Sequence, residues 1–376
     1  MRPTKKLAWG LATLVVLVGL NQIFEHGFGD FQINPYYARV IELIGINVTL
    51  AVSLNLINGV AGQFSIGHAG FMAVGGYVGT YLTVYYGEAL TGWFGLTVTD
   101  AVGGSMAMIV SLVGGGVAAG IAGLAVGIPS LRLKGDYLAI VTLGFGEIIR
   151  VVILNIPAVG GATGFTRAIP ITNFFWIFAM AILTIVIVRN LTASTFGRAL
   201  ATIRDDEVAA EAIGIRTTWH KVMAFVVSAA LAGVAGALSG QLFANPLNPQ
   251  NLNFVKSIEV IIMIVLGGVG SITGAVLGAT TLTILPEVLR GFDQEFPGLR
   301  MVMYALLLIL MMIFRPQGLL GRREFGWHWL RWPSRSRIPV ALTEVSDTRA
   351  HMPQPPGDPR AALGEDEDER EEDGCG

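Results

Sequence analysis

Between Leu43 and Gly87 the chain runs for 45 residues without an Asp, Glu, Lys or Arg, and with one histidine, His68. A transmembrane helix needs ~20 mostly apolar residues, so this stretch alone is long enough for two. The rest of the sequence follows suit. Of 376 residues, 53% are hydrophobic and 14% charged, against roughly 25% charged in ordinary soluble domains. Mean hydropathy is +0.61. A chain this apolar cannot cover itself with a polar surface, which excludes a soluble enzyme, a nucleic-acid binder and a disordered protein. Uncharged runs of this length specify an all-α polytopic membrane protein, because in lipid the backbone must satisfy its own hydrogen bonds.

Punctuation between the apolar runs predicts about ten transmembrane helices. The first, Leu7 to Phe24, follows Arg2, Lys5 and Lys6 and lacks a small-x-small cleavage site. It reads as an uncleaved signal anchor, a removed signal peptide being the alternative. Two spans follow, broken near Asn58–Gln63. Later ones are expected at Ala101–Leu131, Tyr137–Asn155, Phe174–Val188 and Val222–Ala244. Ser257–Leu289 is long enough for two short spans around Gly267-Gly268-Val269-Gly270, and Met301–Phe314 is the core of the last. Basic residues then set the orientation. With the N-terminus inside, Arg132, Lys134, Arg189, Arg198, Arg204, Arg216, Lys221, Arg315, Arg322 and Arg323 all lie inside. Arg167 and Lys256, with Arg290 and Arg300 at membrane edges, fall outside. The expectation is N-in and C-in.

Glycine is abundant, 48 residues, and runs such as Val113-Gly114-Gly115-Gly116 let helix backbones approach closely. Two Gly-rich interruptions fall in opposite halves of the chain. Asn58 to Gly70 carries Asn58, Gln63, Ser65 and His68, with Asn55 just before it; Gly267 to Gly274 carries Gly267, Gly270 and Ser271. Broken apolar segments at comparable positions mark a transporter's substrate region, so these residues are candidates for a translocation pathway. Two tight cytoplasmic turns fit the same pattern. Glu147 and Arg150, spaced i, i+3, can neutralise each other inside one span. Glu42, Glu259 and Glu287 lie near span ends.

The longest interior loop holds Arg204-Asp205-Asp206-Glu207-Val208-Ala209-Ala210-Glu211-Ala212-Ile213-Gly214. Good helix formers, acids toward the start and Gly214 placed as a C-cap predict one short cytoplasmic helix. Ile203, Ala210 and Ile213 would form a modest apolar face on it. The expectation is a docking element for another protein, or a solvated surface helix. No Gly-x-x-x-x-Gly-Lys-Ser/Thr occurs, so the chain has no phosphate-binding loop for ATP. His-Glu-x-x-His and paired cysteines are also missing, the one cysteine being Cys375. No catalytic or metal-binding residue is expected.

Ala209-Ala210-x-x-x-Gly214 resembles the Glu-Ala-Ala-x-x-x-Gly coupling motif of ABC importer permeases, with Val208 at the Glu position and Glu207 one residue early. The whole 204–214 stretch is closer to the LivM-type permeases of branched-chain amino-acid importers. Three other stretches are similar to that branch: Ser53-Leu54-Asn55-Leu56-Ile57-Asn58-Gly59 through His68-Ala69-Gly70-Phe71-Met72, Leu131 through Leu143, and Phe314-Arg315-Pro316-Gln317-Gly318-Leu319-Leu320-Gly321. The resemblance spans about residues 38 to 323. It implies half of a two-permease pathway, beside a homologous second permease and two ABC ATPase subunits that carry ATP and Mg. It also implies an extracytoplasmic solute-binding protein and a bacterial inner-membrane location. Arg204, Asp205, Asp206, Glu207, Ala209, Ala210 and Gly214 would be the ATPase-coupling helix.

The expected organisation is an anchor helix and exterior loop at 1–36 and the permease transmembrane domain at 37–321. A basic, Trp-rich cytoplasmic segment at 322–342 suits an anionic lipid surface. The tail at 343–376 carries 11 acidic and 3 basic residues, net −8, and should be disordered by self-repulsion. The preceding residues carry 22 basic and 16 acidic, net +6. Competing readings are a urea or amide importer permease of the same scaffold, an ion-coupled secondary transporter and a passive channel.

Overall fold

The computed structural model describes residues 12, 15–22, 24, 34–92, 96–98, 100–131, 133, 135–166, 169–242, 247–290, 305–306, 309, 313–314 and 318–319. The expected last span, the basic segment and the acidic tail lie wholly or largely outside the described residues. So does most of the exterior loop before Asn34.

Among the described residues, ten continuous α-helices follow Asn34: α1 Pro35–Asn55, α2 His68–Gly92, α3 Ala101–Ser130, α4 Asp136–Leu154, α5 Phe174–Ala193, α6 Thr195–Asp205, α7 Glu207–Ala212, α8 Thr217–Gly240, α9 Phe254–Gly267 and α10 Ile272–Val288. Most starts are fixed by a side-chain cap that takes up an orphan N–H. Asn34 accepts from Tyr36 N, Asn173 from Trp176 N, Ser194 from Gly197 N, Asn253 from Val255 N and Ser271 from Gly274 N. Among the described residues, five segments are long and apolar enough to cross a membrane: Pro35–Val60, Val102–Ser130, Tyr137–Leu154, Phe174–Ala193 and Thr217–Gly240. The seventh expected span starts earlier than Val222 because Lys221 is paired and buried. α9 and α10, with 14 and 17 residues, are shorter than these five.

Ends that meet show the helices running alternately. The close of α1 touches the turn between α9 and α10, where Gly270 N donates to Asn55 Oδ1 at 2.8 Å. At the other end, Thr172 N before α5 donates to Gln241 O after α8 at 3.2 Å, and Phe165 pairs with Leu247 in an isolated bridge. The helical residues 15–22 sit beside the start of α5: Asn21 Oδ1 accepts from Phe175 N at 3.0 Å, and the Phe24 ring stacks on Phe174.

α2, α3 and α8 form the tightest packing. A methyl added to Gly75 would lie 2.2 Å from Gly233 Cα, and one on Gly236 would lie 1.9 Å from Met72 O. Lipid tails are as apolar as leucine, so helices associate through close approach, and only glycine permits this one. α1 is the other interior helix, set against α5, α8, α9 and α10. In its apolar window 72% of residues are buried, against 22% in α4.

Candidate functional site

The 204–214 stretch departs from the expectation of one helix. Asp206 is extended (φ −156°, ψ 109°) and separates α6 from α7. Its Oδ1 accepts from Val208 N at 2.9 Å and Ala209 N at 3.0 Å, so it closes one helix and caps the next. At the far end Gly214 has φ +84°. Ile215 N donates to Ala210 O and Gly214 N to Glu211 O, which completes a Schellman turn. The break also splits the expected apolar face. Ile203 and Ala210 are buried, but Ile213 is 72% exposed and Val208 is 73% exposed.

α7 is fastened to the start of α8 by its acids. Glu207 Oε1 lies 2.7 Å from Lys221 Nζ, whose side chain is only 5% exposed. Glu211 Oε1 accepts from Thr217 Oγ1 at 2.8 Å. Arg204, at the end of α6, reaches the first Gly-rich interruption. Its Nη1 donates to Gly59 O at 3.2 Å, and its Nε and Nη2 donate to Asp205. A methyl on Gly62, which has φ +66°, would collide with Arg204 Cγ.

The two Gly-rich interruptions meet. α1 ends in a π-turn, Leu56–Val60, which brings Asn55 round to bond both ways with the second interruption. Its Oδ1 takes Gly270 N, and its Nδ2 donates to Ser271 O at 3.2 Å. Asn58 is paired with Ser65 through backbone and side chain. Gln63 is half-buried, and its N–H bonds Ile57 O. His68 Nε2 lies 2.8 Å from Ser53 Oγ, while Ser228 Oγ on α8 donates to Ser53 O at 2.5 Å. Gly267 packs against Gly274. The pathway candidates Asn55, Ser65, His68 and Ser271 are thus buried, and they spend most of their hydrogen bonds within the bundle. His68 Nδ1 and Ser65 Oγ are buried without a partner.

From the sequence, Lys221 counts among the interior basic residues and Ser53 among those that carry the resemblance, but neither of them, nor Ser228, is given a part in the site. A lone lysine at the foot of an apolar run, a few residues beyond an acidic helix, was the available signal for the first. Nothing local marks the serines.

Midway along α4, Glu147 Oε2 and Arg150 Nε are 2.7 Å apart, as the i, i+3 spacing implies. Glu147 Oε1 also accepts from Phe254 N at the start of α9, at 3.1 Å. The carboxylate borders a notch between α4 and α9 that includes Leu143, Gly146, Ile66, Leu252 and Phe254. Among the described residues no three His, Cys, Asp or Glu side chains come together as metal ligands.

Comparison with known proteins gives this arrangement its context. The LivM permease of the high-affinity branched-chain amino acid transport system of Salmonella typhimurium is 34% identical over 327 residues, covering 77% of this chain and 71% of its own. The LivH permease from the same organism is 34% identical over 171 residues, 44% of this chain and 53% of its own. A solved ABC transporter described as of metal-chelate type, in an inward-facing conformation, aligns with 82% of this chain and 99% of its own at TM-score 0.41 and 16% identity. Residues 36–312 match the model of the permease component of branched-chain amino acid transport systems. That match runs from the start of α1 past the end of α10, through both Gly-rich turns and the capped α7, and the chain belongs to the branched-chain amino acid transport system permease family.

Proposed function

We propose that this chain is one of two permease subunits of an ATP-driven importer for branched-chain or related hydrophobic amino acids, in a bacterial inner membrane. A homologous permease completes the pathway; the similarity to both LivM and LivH sequences supports such a pair. Two ABC ATPase subunits bind ATP and Mg on the cytoplasmic side, and an extracytoplasmic binding protein delivers the substrate. The N-in, C-in orientation with ten spans places α6 and α7 inside, in keeping with the basic residues at that end. The anchor at 1–36, the permease domain at 37–321, and the segments 322–342 and 343–376 complete the reading.

The observation that carries the coupling role is the fastening of α7. Val208, Ala209 and Ala212 on a six-residue helix and Ile213 just past it are exposed, while Glu207 and Glu211 hold the same helix to α8. An ATPase subunit that grips the exposed side displaces α7, and Lys221 transmits the displacement to α8. Arg204 transmits it to Gly59 and hence to the Asn55–Gly270 junction. Alternating access follows when ATP binding on the partners biases the two arrangements of such rigid bodies. The candidates Asn55, Asn58, Gln63, Ser65, His68, Gly267, Gly270 and Ser271 act in this reading as the seam at which the helices shift.

Purification of the complex from its native membrane, with mass spectrometry of the accompanying subunits, tests the proposal. A second permease and ATPases should co-purify, and Asp206→Ala with Gly214→Val should release the ATPases while this chain still reaches the membrane. A chain that purifies alone and moves leucine in liposomes without ATP would overturn it.

A further inference from the structure

Glu147 stands well inside α4, ten residues after Tyr137 and seven before Leu154. At 1.5 Å per residue it lies about 15 Å from one end and about 10 Å from the other. A charge at such depth costs ~2.5–3.5 kcal/mol even on the milder scales, so intramembrane charges face protein or a watery cavity and mark pathways. Yet Glu147 and Arg150 remain 28% and 25% exposed in the folded chain. They sit on the least buried of the spans, on the flank beside α9, next to an outer face of Tyr137, Ile140, Ile148, Val151 and Val152 that is purely apolar or aromatic.

The pair is lightly held. Among the described residues Arg150 is engaged through Nε alone, which leaves the outer nitrogens of a fork suited to carboxylates. Glu147 has one bond from Arg150 and one from the first N–H of α9, where the helix dipole favours an anion. Beside them the notch offers aliphatic walls from Ile66, Leu143 and Leu252, with Gly70 and Gly146 bringing α2 and α4 close enough that a methyl on Gly70 would lie 2.9 Å from Gly146 Cα.

We propose that Glu147 and Arg150 form a station for the zwitterionic end of the amino acid as it passes between α4 and α9. The substrate ammonium replaces Arg150 at the Glu147 carboxylate, and the substrate carboxylate takes the Arg150 guanidinium, so no net charge is created at depth. The aliphatic side chain lies against the walls of the notch. In this conformation the notch measures about 10 Å³, room for about one water. The station is therefore closed and opens when α4 separates from α9. This proposal rests on the amino-acid permease reading.

The test uses the complete importer in proteoliposomes, with ATP and its binding protein, and radiolabelled leucine. The double replacement Glu147→Met with Arg150→Met removes both charges together. An ion pair that only holds structure can be exchanged for apolar side chains with little loss, so uptake equal to the unmodified importer would overturn the station. The expected result is a maximal uptake rate lowered at least tenfold, with the half-saturating leucine concentration and the yield of assembled complex unchanged. A second measurement avoids dependence on that variant. Leu143→Cys in a Cys375→Ser background should react with a membrane-impermeant thiol reagent, and leucine during turnover should slow the reaction. No reaction in any nucleotide state, or none slowed by leucine, would likewise overturn it. An unmodified importer that takes up no amino acid would overturn the function and the station together; one that imports leucine equally well without the pair overturns the station alone.

Discussion

The α2–α3–α8 packing and the α4–α9 notch are held together by different means. In the first, glycines on α2, α3 and α8 remove side chains until backbones touch, as at Gly75 against Gly233 and Gly236 against Met72 O. In the second, α4 presents an ion pair and one backbone bond, and only 22% of its apolar window is buried. Water cannot drive apolar helices together inside lipid, so a helix there is held by close approach or by polar pairing. A helix with much of the former is fixed. α4 approaches α2 closely, at Gly70 against Gly146 and Gly67 against Thr142 O, but meets α9 through an exchangeable polar contact, so the α4–α9 side is the one free to open.

Filling the glycine seam should give the largest effect. Gly236→Leu puts a side chain where even a methyl would overlap Met72 O. Backbone on both sides leaves no flexible atom to yield, and overpacking of this kind costs about 3 kcal/mol. The protein should vanish from the membrane fraction, or unfold in detergent far below the unmodified temperature. An intact, equally stable Gly236→Leu protein would break the contrast at its stronger end.

Next in size is the Glu207–Lys221 pair, which belongs to neither extreme. Removing one member of a buried pair costs about 3–5 kcal/mol, but Glu207 is 24% exposed and water screens part of that. Glu207→Ala should therefore cost about 2 kcal/mol by thermal unfolding, and Glu207→Met with Lys221→Met should restore most of it. A double variant as unstable as the single would mean that Lys221 serves some other contact.

How much of this was visible in the sequence follows the same division. The limits of α3, α4 and the start of α5 were legible to within a residue or so, since charged and Gly-rich punctuation ends an apolar run wherever the helix leaves lipid. The pair Glu147–Arg150 was legible because i, i+3 spacing is local. The break at Asp206 was not. Arg204-Asp205-Asp206-Glu207 reads as continuous helix by propensity, and the contacts that flank the break, Glu207 with Lys221 and Arg204 with Gly59, come from residues distant in sequence. The meeting of Asn55 with Gly270 was equally hidden, because its partners are 215 residues apart and only the fold joins them. Both Gly-rich interruptions could be found from the sequence; that they form one junction could not.

Removing the cap is a smaller perturbation. Asp206→Ala leaves Val208 N and Ala209 N without their acceptor, at a cost of about 1 kcal/mol borne by α7 alone. Amide exchange in residues 207–213 should quicken about fivefold, with α2, α3 and α8 unchanged. Slowed exchange, or a loss spread through the bundle, would mean that α7 is not the locally fastened element described.

The smallest effect on stability should come from the residues with the largest proposed role in transport. With Glu147→Met and Arg150→Met, α4 loses two part-exposed charges and gains apolar surface. The only orphan left is Phe254 N, in the first turn of α9, where Asn253 already caps the neighbouring Val255 N. The desolvation relieved and the pairing lost are of similar size, so the melting midpoint should move by no more than about 0.5 kcal/mol would shift it. A large destabilisation would make the pair a clasp comparable to the glycine seam and would erase the distinction between a fixed core and a movable α4–α9 contact. Near-neutral stability combined with lost uptake would sharpen it, because a side-chain pair that does not hold the fold together and yet governs transport must act on what passes beside it.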